Sequence, residues 1–314
     1  MQWKNKGTGR STLNVLLVML LWGSLFPMVK IGYRVFGVDT TQPADILMFA
    51  GVRFVVCGLI ITGIALMRRE KLNTDFRKSI LPVGIMGVFA IVLHYACTYI
   101  GLTLTDSSKT AILKQLGALF YICFSFLFIR EEKFSIYKIA GAVVGFAGII
   151  AINAGGADGQ FMLGDVLIIC ASVCTVVSNL ASKKAMRLNP AMITTGGSQL
   201  GGGILLVIIA ACMHGRVPVF TVQALPTFGY ICFASVVGYC MWFSIVKKQS
   251  LSKLFIIKFS EPVFACIFGA LLLNENILRW QYLLAFVLIS AGIVLGHVSE
   301  RKGSKLESSF HSSR

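Results

Sequence analysis

Four ionisable residues lie within long apolar stretches of the sequence: Arg53, Lys114, Lys258 and Glu261. A charged side chain at the centre of a membrane-spanning helix costs about 2.5–3.5 kcal/mol on insertion scales, so such residues tend to face a cavity or a partner. Lysine and arginine in that setting can bind a carboxylate or phosphate, and a glutamate can bind a cation or a proton. These residues therefore predict an intramembrane binding site with a positive excess, which favours an anionic solute.

Two of these residues, Lys114 and Lys258, each lie more than one helical turn inside their apolar stretch. The alternative is that their long side chains extend to the membrane surface, which is what we expect of Lys109 and Lys253 at the helix starts. We favour the binding interpretation for the deeper pair because both recur at equivalent positions of an internal repeat. Glu261 lies three residues after Lys258, so the two can pair on one helix face.

Four further residues complete the predicted substrate-binding set: His94, Tyr95, Tyr99 and Trp22. The histidine is either a hydrogen-bonded packing residue or a proton relay in a proton-coupled carrier. The aromatic residues either line a cavity or pack and anchor helices at the interface. Arg53 likewise is a site residue or a headgroup anchor.

The composition predicts the kind of secondary structure that positions these residues. Apolar side chains make up 56% of the 314 residues and charged ones 13%, against about 25% charged in a soluble domain; the mean hydropathy is +0.79. The chain is therefore predicted to be an all-α membrane protein with ten transmembrane helices, each near the roughly 20 residues that a span requires. The apolar stretches cover residues 13–36, 45–67, 79–103, 109–129, 135–153, 162–182, 191–213, 224–246, 251–273 and 278–298.

The net charge of +16 is concentrated in one alternate set of the loops between these stretches, which holds most of the 29 Lys and Arg residues. That asymmetry predicts an inner-membrane protein with both termini in the cytoplasm. Nucleic-acid binding is excluded as a function, because no basic patch with interleaved aromatic residues lies outside the spans.

An internal repeat links the two halves of the chain, since residues 105–153 overlay 249–297 without a gap. An odd number of spans per half means that the halves face the membrane in opposite senses. Inverted repeats place a substrate site at their interface and permit alternating access. We predict a cytoplasmic N-terminus at 1–12, five-helix repeats at 13–153 and 154–298, and a disordered cytoplasmic tail at 299–314. Matched pairs include Lys109 with Lys253, Lys114 with Lys258, Glu131 with Glu275, and Ala147-Gly148-Ile149 with Ala291-Gly292-Ile293.

Catalytic and cofactor signatures are missing from the sequence. There is no nucleotide-binding motif, no metal-ligand spacing, no cofactor motif and no nucleophile with a base, so we expect neither an enzyme nor ATP-driven transport. The nine cysteines lie in apolar stretches without CxxC pairs and are expected to be packing residues. Glu131 and Glu275, at helix ends, are expected to pair with loop cations or helix ends.

Short motifs occur in order along both halves: Trp22-Gly23 with Lys30, Arg53-Phe54, Glu131, Gly141, Gly145 and Gly148, then Gly164-Asp165, Glu261-Pro262, Glu275 and Gly292. Together they resemble the drug/metabolite transporter superfamily, in particular its EamA-type ten-helix transporters, over residues 13–298. The resemblance implies a carrier, in most members an exporter, of amino acids, drugs or other metabolites. Distant members in plastids use basic residues on the fourth and ninth helices to bind sugar phosphates, which is similar to Lys114 and Lys258. One departure is Ala118, where members often have a proline.

The favoured function is a secondary transporter, an exporter, of small organic anions or amino acids by alternating access. Its partners would be the lipid bilayer, the small-molecule substrate and a proton or counter-substrate. An alternative is an exporter of neutral or cationic amphiphiles that uses Glu261, for which cationic competitors would inhibit and anions would not. A more remote alternative is a receptor or assembly factor that transports nothing.

Overall fold

The computed structural model describes residues 5–124, 136–153, 163–249, 254, 257–258, 260–292 and 294–295. Helix is the only extended regular structure in these ranges, which confirms the all-α prediction. The predictions for Glu131, Lys253 and the tail at 299–314 lie outside the described residues.

Each of the ten predicted spans coincides with a helix, and the order along the chain is the predicted one. Helix α4 has two segments with a turn at 114–115. The helices are α1 (Asn5–Val35), α2 (Pro43–Met67), α3 (Phe76–Thr103), α4 (Ser107–Leu113 and Leu116–Phe124), α5 (Ile136–Asn153), α6 (Leu163–Ala185), α7 (Ala191–Cys212), α8 (Leu225–Lys248), α9 (Ser260–Leu273) and α10 (Trp280–Gly292).

Six of these helices are long and apolar enough to cross a membrane on their own: α1, α2, α3, α6, α7 and α8. In the described ranges α9, α10 and part of α5 (Ile139–Gly148) are shorter apolar helices. The burial pattern suits a lipid environment, because many large apolar side chains face outward while charged ones, such as Arg53 at 0% exposure, lie inside. The chain is a multi-pass membrane protein.

Glycines allow α2 and α7 to pack with their backbones in close contact. A Cβ atom at Gly51 would lie 2.8 Å from the backbone nitrogen of Val207, and one at Gly203 would lie 2.6 Å from that of Val55. In a membrane, small residues at such an interface permit the short separations on which dispersion and interhelical contacts depend. Close helix packing thus accounts for Gly196, Gly202 and Gly203 of α7, whereas no heavy atom of the described residues lies within 4 Å of the Cβ position at Gly201.

A second close approach brings α1 against α9. A Cβ atom at Gly23 would lie 2.9 Å from the Glu261 carbonyl oxygen and 2.7 Å from Cβ of Phe264. Trp22 precedes this glycine in α1, and the Trp22 and Glu261 side chains line the same cavity.

Two irregularities set the direction of the neighbouring side chains. Helix α3 contains π-helical turns at Phe76–Ile80 and Val88–Leu93, and the second ends immediately before His94. Such wide turns are often found at functional sites. In α4 the regular hydrogen bonding is interrupted at Lys114 and Gln115. The Ser172 hydroxyl of α6 lies 3.4 and 3.3 Å from the main-chain oxygens of Leu113 and Lys114, and its nearest acceptor is the Ile168 carbonyl at 2.9 Å.

Ion pairs connect the loops and helix ends at the end of the bundle where α4, α6 and α10 begin, which we call the Glu275 end. Lys109 pairs with the fully buried Asp165, with Nζ 2.9 Å from Oδ1. The pair places the Lys109 ammonium beside a carboxylate at the start of α6, and the extension of this side chain to the membrane surface stays a prediction. Asp45 similarly accepts hydrogen bonds from the backbone nitrogen and Nε of Arg216 at 2.8 and 3.0 Å.

Candidate functional site

One cavity in the described part of the chain is lined by all eight residues predicted to bind substrate. Helices α1, α2, α3, α4, α6, α8 and α9 contribute to its wall. Its volume is about 70 Å³. The eight are Trp22, Arg53, His94, Tyr95, Tyr99, Lys114, Lys258 and Glu261.

The guanidinium of Arg53 is fully buried, so the headgroup-anchor alternative is wrong. Its Nε and Nη2 atoms donate to the Ser235 hydroxyl on α8, the former at 3.1 Å. The guanidinium carbon lies 4.8 Å from the ring centre of Phe54 and 5.6 and 5.8 Å from those of Tyr95 and Tyr99. Arginine stacks well on aromatic faces, and its Nη1 atom has no hydrogen-bond partner among the described residues. One donor therefore remains for a ligand.

The ammonium of Lys114 points inward rather than to the membrane surface. Its Nζ lies 3.4 Å from Nε2 of His94 and 5.0 Å from the ring centre of Phe26. In the described ranges no carboxylate comes within 4.0 Å of this ammonium. A half-buried cation whose nearest partners are a ring nitrogen and an aromatic face keeps much of its capacity to attract an anion.

The third cation, Lys258, lies beside the cavity's carboxylate. Its Nζ is 3.9 Å from Oε2 of Glu261, one helical turn later on the same face, and both side chains are buried. The distance is too long for a hydrogen bond, and Oε2 has no hydrogen-bond partner among the described residues. The predicted pairing of Lys258 with Glu261 is confirmed, and one acceptor remains beside it.

Aromatic rings form one wall of the cavity. The centre of the Trp22 ring lies 5.3 Å from that of Tyr239 and 5.4 Å from that of Trp242. The Tyr239 hydroxyl is 2.8 Å from the hydroxyl of Tyr95 across the site. These rings provide an apolar surface for a substrate side chain and a polar edge toward the charged groups.

Helix α6 contributes polar residues that sequence reasoning did not include. The Asn179 side chain accepts a hydrogen bond from Nε1 of Trp242 at 3.0 Å and donates one to the Thr175 carbonyl at 2.8 Å. The Thr175 hydroxyl lies 3.0 Å from Nδ1 of His94. An asparagine inside an apolar stretch is a weak signal that could have suggested this helix, whereas Ser and Thr are common in such helices and carry little information.

Formal charges define what the arrangement can do chemically. Arg53, Lys114 and Lys258 supply three cations against the single carboxylate of Glu261. No cluster of three or more His, Cys, Asp or Glu residues suited to a metal occurs in the described ranges. The cavity can thus hold a small solute with a carboxylate or phosphate near the cations, and an amino group near Glu261.

Several relatives of this chain are named as transporters. The chain is similar to the uncharacterised inner membrane transporter YedA of Escherichia coli (strain K12), with 25% identity over 88% of this chain and 87% of the relative. It is also similar to the uncharacterised transporter YoaV of Bacillus subtilis (strain 168), with 24% identity over 90% and 95%. A third relative, from E. coli (strain K12), is named "Probable amino-acid metabolite efflux pump" and is 24% identical over 89% and 92%.

The fold and the family are shown by two further matches. A solved crystal structure superposes with a TM-score of 0.65 at 16% identity and covers 94% of this chain and 98% of its own. The model of the EamA-like transporter family matches twice, at residues 10–154 and 162–296. A double match of this kind fits a ten-helix fold built from a repeat. The chain belongs to the EamA-like transporter family.

Proposed function

We propose that this protein is a secondary transporter that exports small carboxylate-bearing metabolites, organic anions or amino acids, by alternating access. It acts at the inner membrane of a bacterial-type cell, with both termini in the cytoplasm and without an enzymatic step. The loop charges support the orientation, and the relatives named as transporters support the general activity.

The observation that carries the substrate class is the position of two lysines from different halves in one cavity. Lys114 and Lys258 both line it, together with a guanidinium that has an unused donor at Nη1 of Arg53. Three cations that line one cavity repel, and an anion bound between them relieves that repulsion. A desolvated site strengthens each of these attractions relative to water.

Amino acids fit the same site because their carboxylate and ammonium groups match its cations and its one carboxylate, Glu261. The carboxylate would bind near the cations, and the amino group would bind the Glu261 oxygen that lacks a hydrogen-bond partner. The small volume favours solutes of this size over large drugs.

A second candidate, export of cationic amphiphiles, is favoured by Glu261 and the neighbouring aromatic wall. Aromatic faces attract cations, and Trp22, Tyr239 and Trp242 all line the cavity. We rank it lower because a cation would have to enter a site that already holds three.

The test is uptake by proteoliposomes of four radiolabelled probes: L-glutamate, D-gluconate, L-serine and tetraethylammonium. We expect the carboxylate-bearing probes to be transported and tetraethylammonium to be excluded. Lys114→Met and Lys258→Met should each lower the uptake by at least about tenfold, which corresponds to 1.4 kcal/mol. Lys78→Met is the matched control, since Lys78 is highly exposed and outside the cavity. Normal uptake in both cavity variants, or uptake of tetraethylammonium alone, would refute the proposal.

A further inference from the structure

The protonation of His94 is defined by its hydrogen bonds. Nδ1 lies 2.9 Å from the carbonyl oxygen of Ala171 and 3.0 Å from the hydroxyl of Thr175. A carbonyl oxygen can only accept, so Nδ1 carries the hydrogen. That hydroxyl itself donates to the Ala171 carbonyl at 3.1 Å and can accept from Nδ1–H. The imidazole is therefore held as the Nδ1–H tautomer.

The other ring nitrogen is left with a lone pair that faces the cavity. Nε2 lies 3.4 Å from the Lys114 ammonium, which has three hydrogens to donate and no lone pair, so Nε2 is the acceptor in this contact. His94 is 6% exposed and the Lys114 side chain lies among cavity residues. A ring nitrogen fixed in this way is a proton-binding atom next to a candidate anion-binding group.

Several titratable or charged groups surround this nitrogen. The cations would oppose a second proton on the imidazole of the empty site, since like charges at short range repel strongly in a poorly solvated interior. Glu261 is the one carboxylate in the described cavity wall. The cavity that His94 lines also contains Lys114 of α4, Lys258, Glu261 of α9, Arg53 of α2, Tyr239 of α8, and Tyr95 and Tyr99 of its own helix.

An anion bound at Lys114 reverses this balance. Its negative charge offsets one cation, and it draws the ammonium away from Nε2, which exposes the lone pair. A hydronium ion entering with the solute can then deliver a proton to Nε2: an N–H bond forms, an O–H bond of the hydronium breaks, and a water molecule remains. One anion and one proton together leave the formal charge of the cavity unchanged.

We propose that His94 Nε2 binds a proton that crosses the membrane together with one univalent anionic substrate. This inference rests on the proposed function. Because the loaded and empty cavities carry the same formal charge, the transport cycle is electroneutral. The proton is released on the other side, when the anion leaves and the Lys114 ammonium returns to Nε2.

The experiment uses the full-length protein in proteoliposomes, with L-glutamate and D-gluconate as univalent probes that cross lipid poorly. A trapped pH dye reports proton movement, and valinomycin with potassium sets the membrane potential. We expect one proton per anion, uptake accelerated by acid on the loading side, and no response to the potential. In His94→Gln, which keeps a donor and an acceptor but does not titrate, remaining transport should carry no proton and become sensitive to the potential.

The control is His214→Asn, in the loop before α8. Residue 214 has a φ of 60°, a conformation that asparagine tolerates, and this variant should retain both the rate and the proton stoichiometry. Anion uptake by the unmodified protein without proton movement, or unchanged coupling in His94→Gln, overturns the inference while the proposed function stands. The first of these measurements needs no variant, so it remains decisive if His94→Gln fails to fold. If neither anion is transported, the anion proposal fails and this inference fails with it.

Discussion

Lys30 Nζ lies 3.6 Å from Glu275 Oε1 at the Glu275 end of the bundle. The same carboxylate accepts hydrogen bonds from the backbone nitrogens of Ser107 and Ser108 at 2.9 and 3.1 Å and from the Ser108 hydroxyl at 2.8 Å. A carboxylate at a helix N-terminus satisfies free N–H groups and opposes the positive end of the helix dipole. Glu275 therefore links α1, the start of α4 and the turn between α9 and α10.

Replacing Glu275 by glutamine should destabilise the protein. The amide keeps one acceptor oxygen but loses the charge, so the hydrogen bonds from Ser107 and Ser108 weaken and the attraction to Lys30 is lost. Hydrogen bonds to a charged group contribute about 1.5–3 kcal/mol each, and we expect a net loss of about 1–3 kcal/mol. Thermal unfolding in detergent measures it. Asp39→Asn, in an exposed pair with Arg216, should change little; an equal effect of the two would contradict the capping role.

The stability conferred by Glu275 should depend on pH. Burial alone would raise the pKa of this carboxyl, but the hydrogen bonds from Ser107 and Ser108 and the charge of Lys30 outweigh it and hold the pKa below its ordinary value. Because the pKa is lower in the folded than in the unfolded state, the ionised carboxylate stabilises the folded protein at pH values above the unfolded-state pKa of roughly 4.3. This stabilisation is lost as the pH falls from there through the folded-state pKa. Melting temperatures measured across this range should converge for the unmodified protein and Glu275→Gln; a constant difference would refute the mechanism.

Gly58→Ala should disrupt the contact between α2 and α7. The added methyl group would clash with the backbone of Leu200, and overpacking of this kind costs about 1–3 kcal/mol. Gly63→Ala is a matched control on the same helix, because no heavy atom lies within 4 Å of its Cβ position. The temperature of thermal unfolding should be lower for the first variant and not for the second. Equal unfolding temperatures of Gly58→Ala and Gly63→Ala would contradict the prediction, because they would mean that α2 and α7 can move apart at little cost.

The hydrogen bond between Asn179 and Trp242 can be measured by a double-mutant cycle. Asn179→Leu leaves the buried Nε1–H of the indole without its acceptor, at a cost of about 1–3 kcal/mol. In a Trp242→Phe background the donor is already absent, so the same change should cost less. A coupling of about 0.5–3 kcal/mol in unfolding free energy is expected for residues in contact. Strictly additive effects would show that this bond contributes no stability.

The helices were predictable because a bilayer imposes one simple requirement, a long apolar segment with its backbone bonded internally. The same physics identified the site, since Arg53, Lys114 and Glu261 would be too costly in lipid unless they faced the interior. Their grouping around one cavity could be anticipated from the repeat, but the distances between them could not.

Other features have no residue signature. The π-helical turn at Val88–Leu93 is made of ordinary apolar residues. The contribution of Thr175 and Asn179 depends on how α6 is rotated against α3, and the polar residues of α6 are spread along the helix without marking which of them reach the cavity. The pairing of Lys109 with Asp165 joins residues distant in sequence, so only the tertiary structure shows it.

The interruption in α4 changes the azimuth of the helix. The amides of Gln115, Gly117 and Ala118 donate to carbonyls three residues back rather than four. A 3₁₀ turn advances 120° per residue, compared with 100° in an α-helix, so about three such residues rotate the second segment of α4 by about 60° relative to the first. A helical wheel drawn from Lys109 onward therefore misplaces every side chain beyond the turn. Lys114 occupies the corner, and in the described ranges it is the residue of α4 that reaches the cavity.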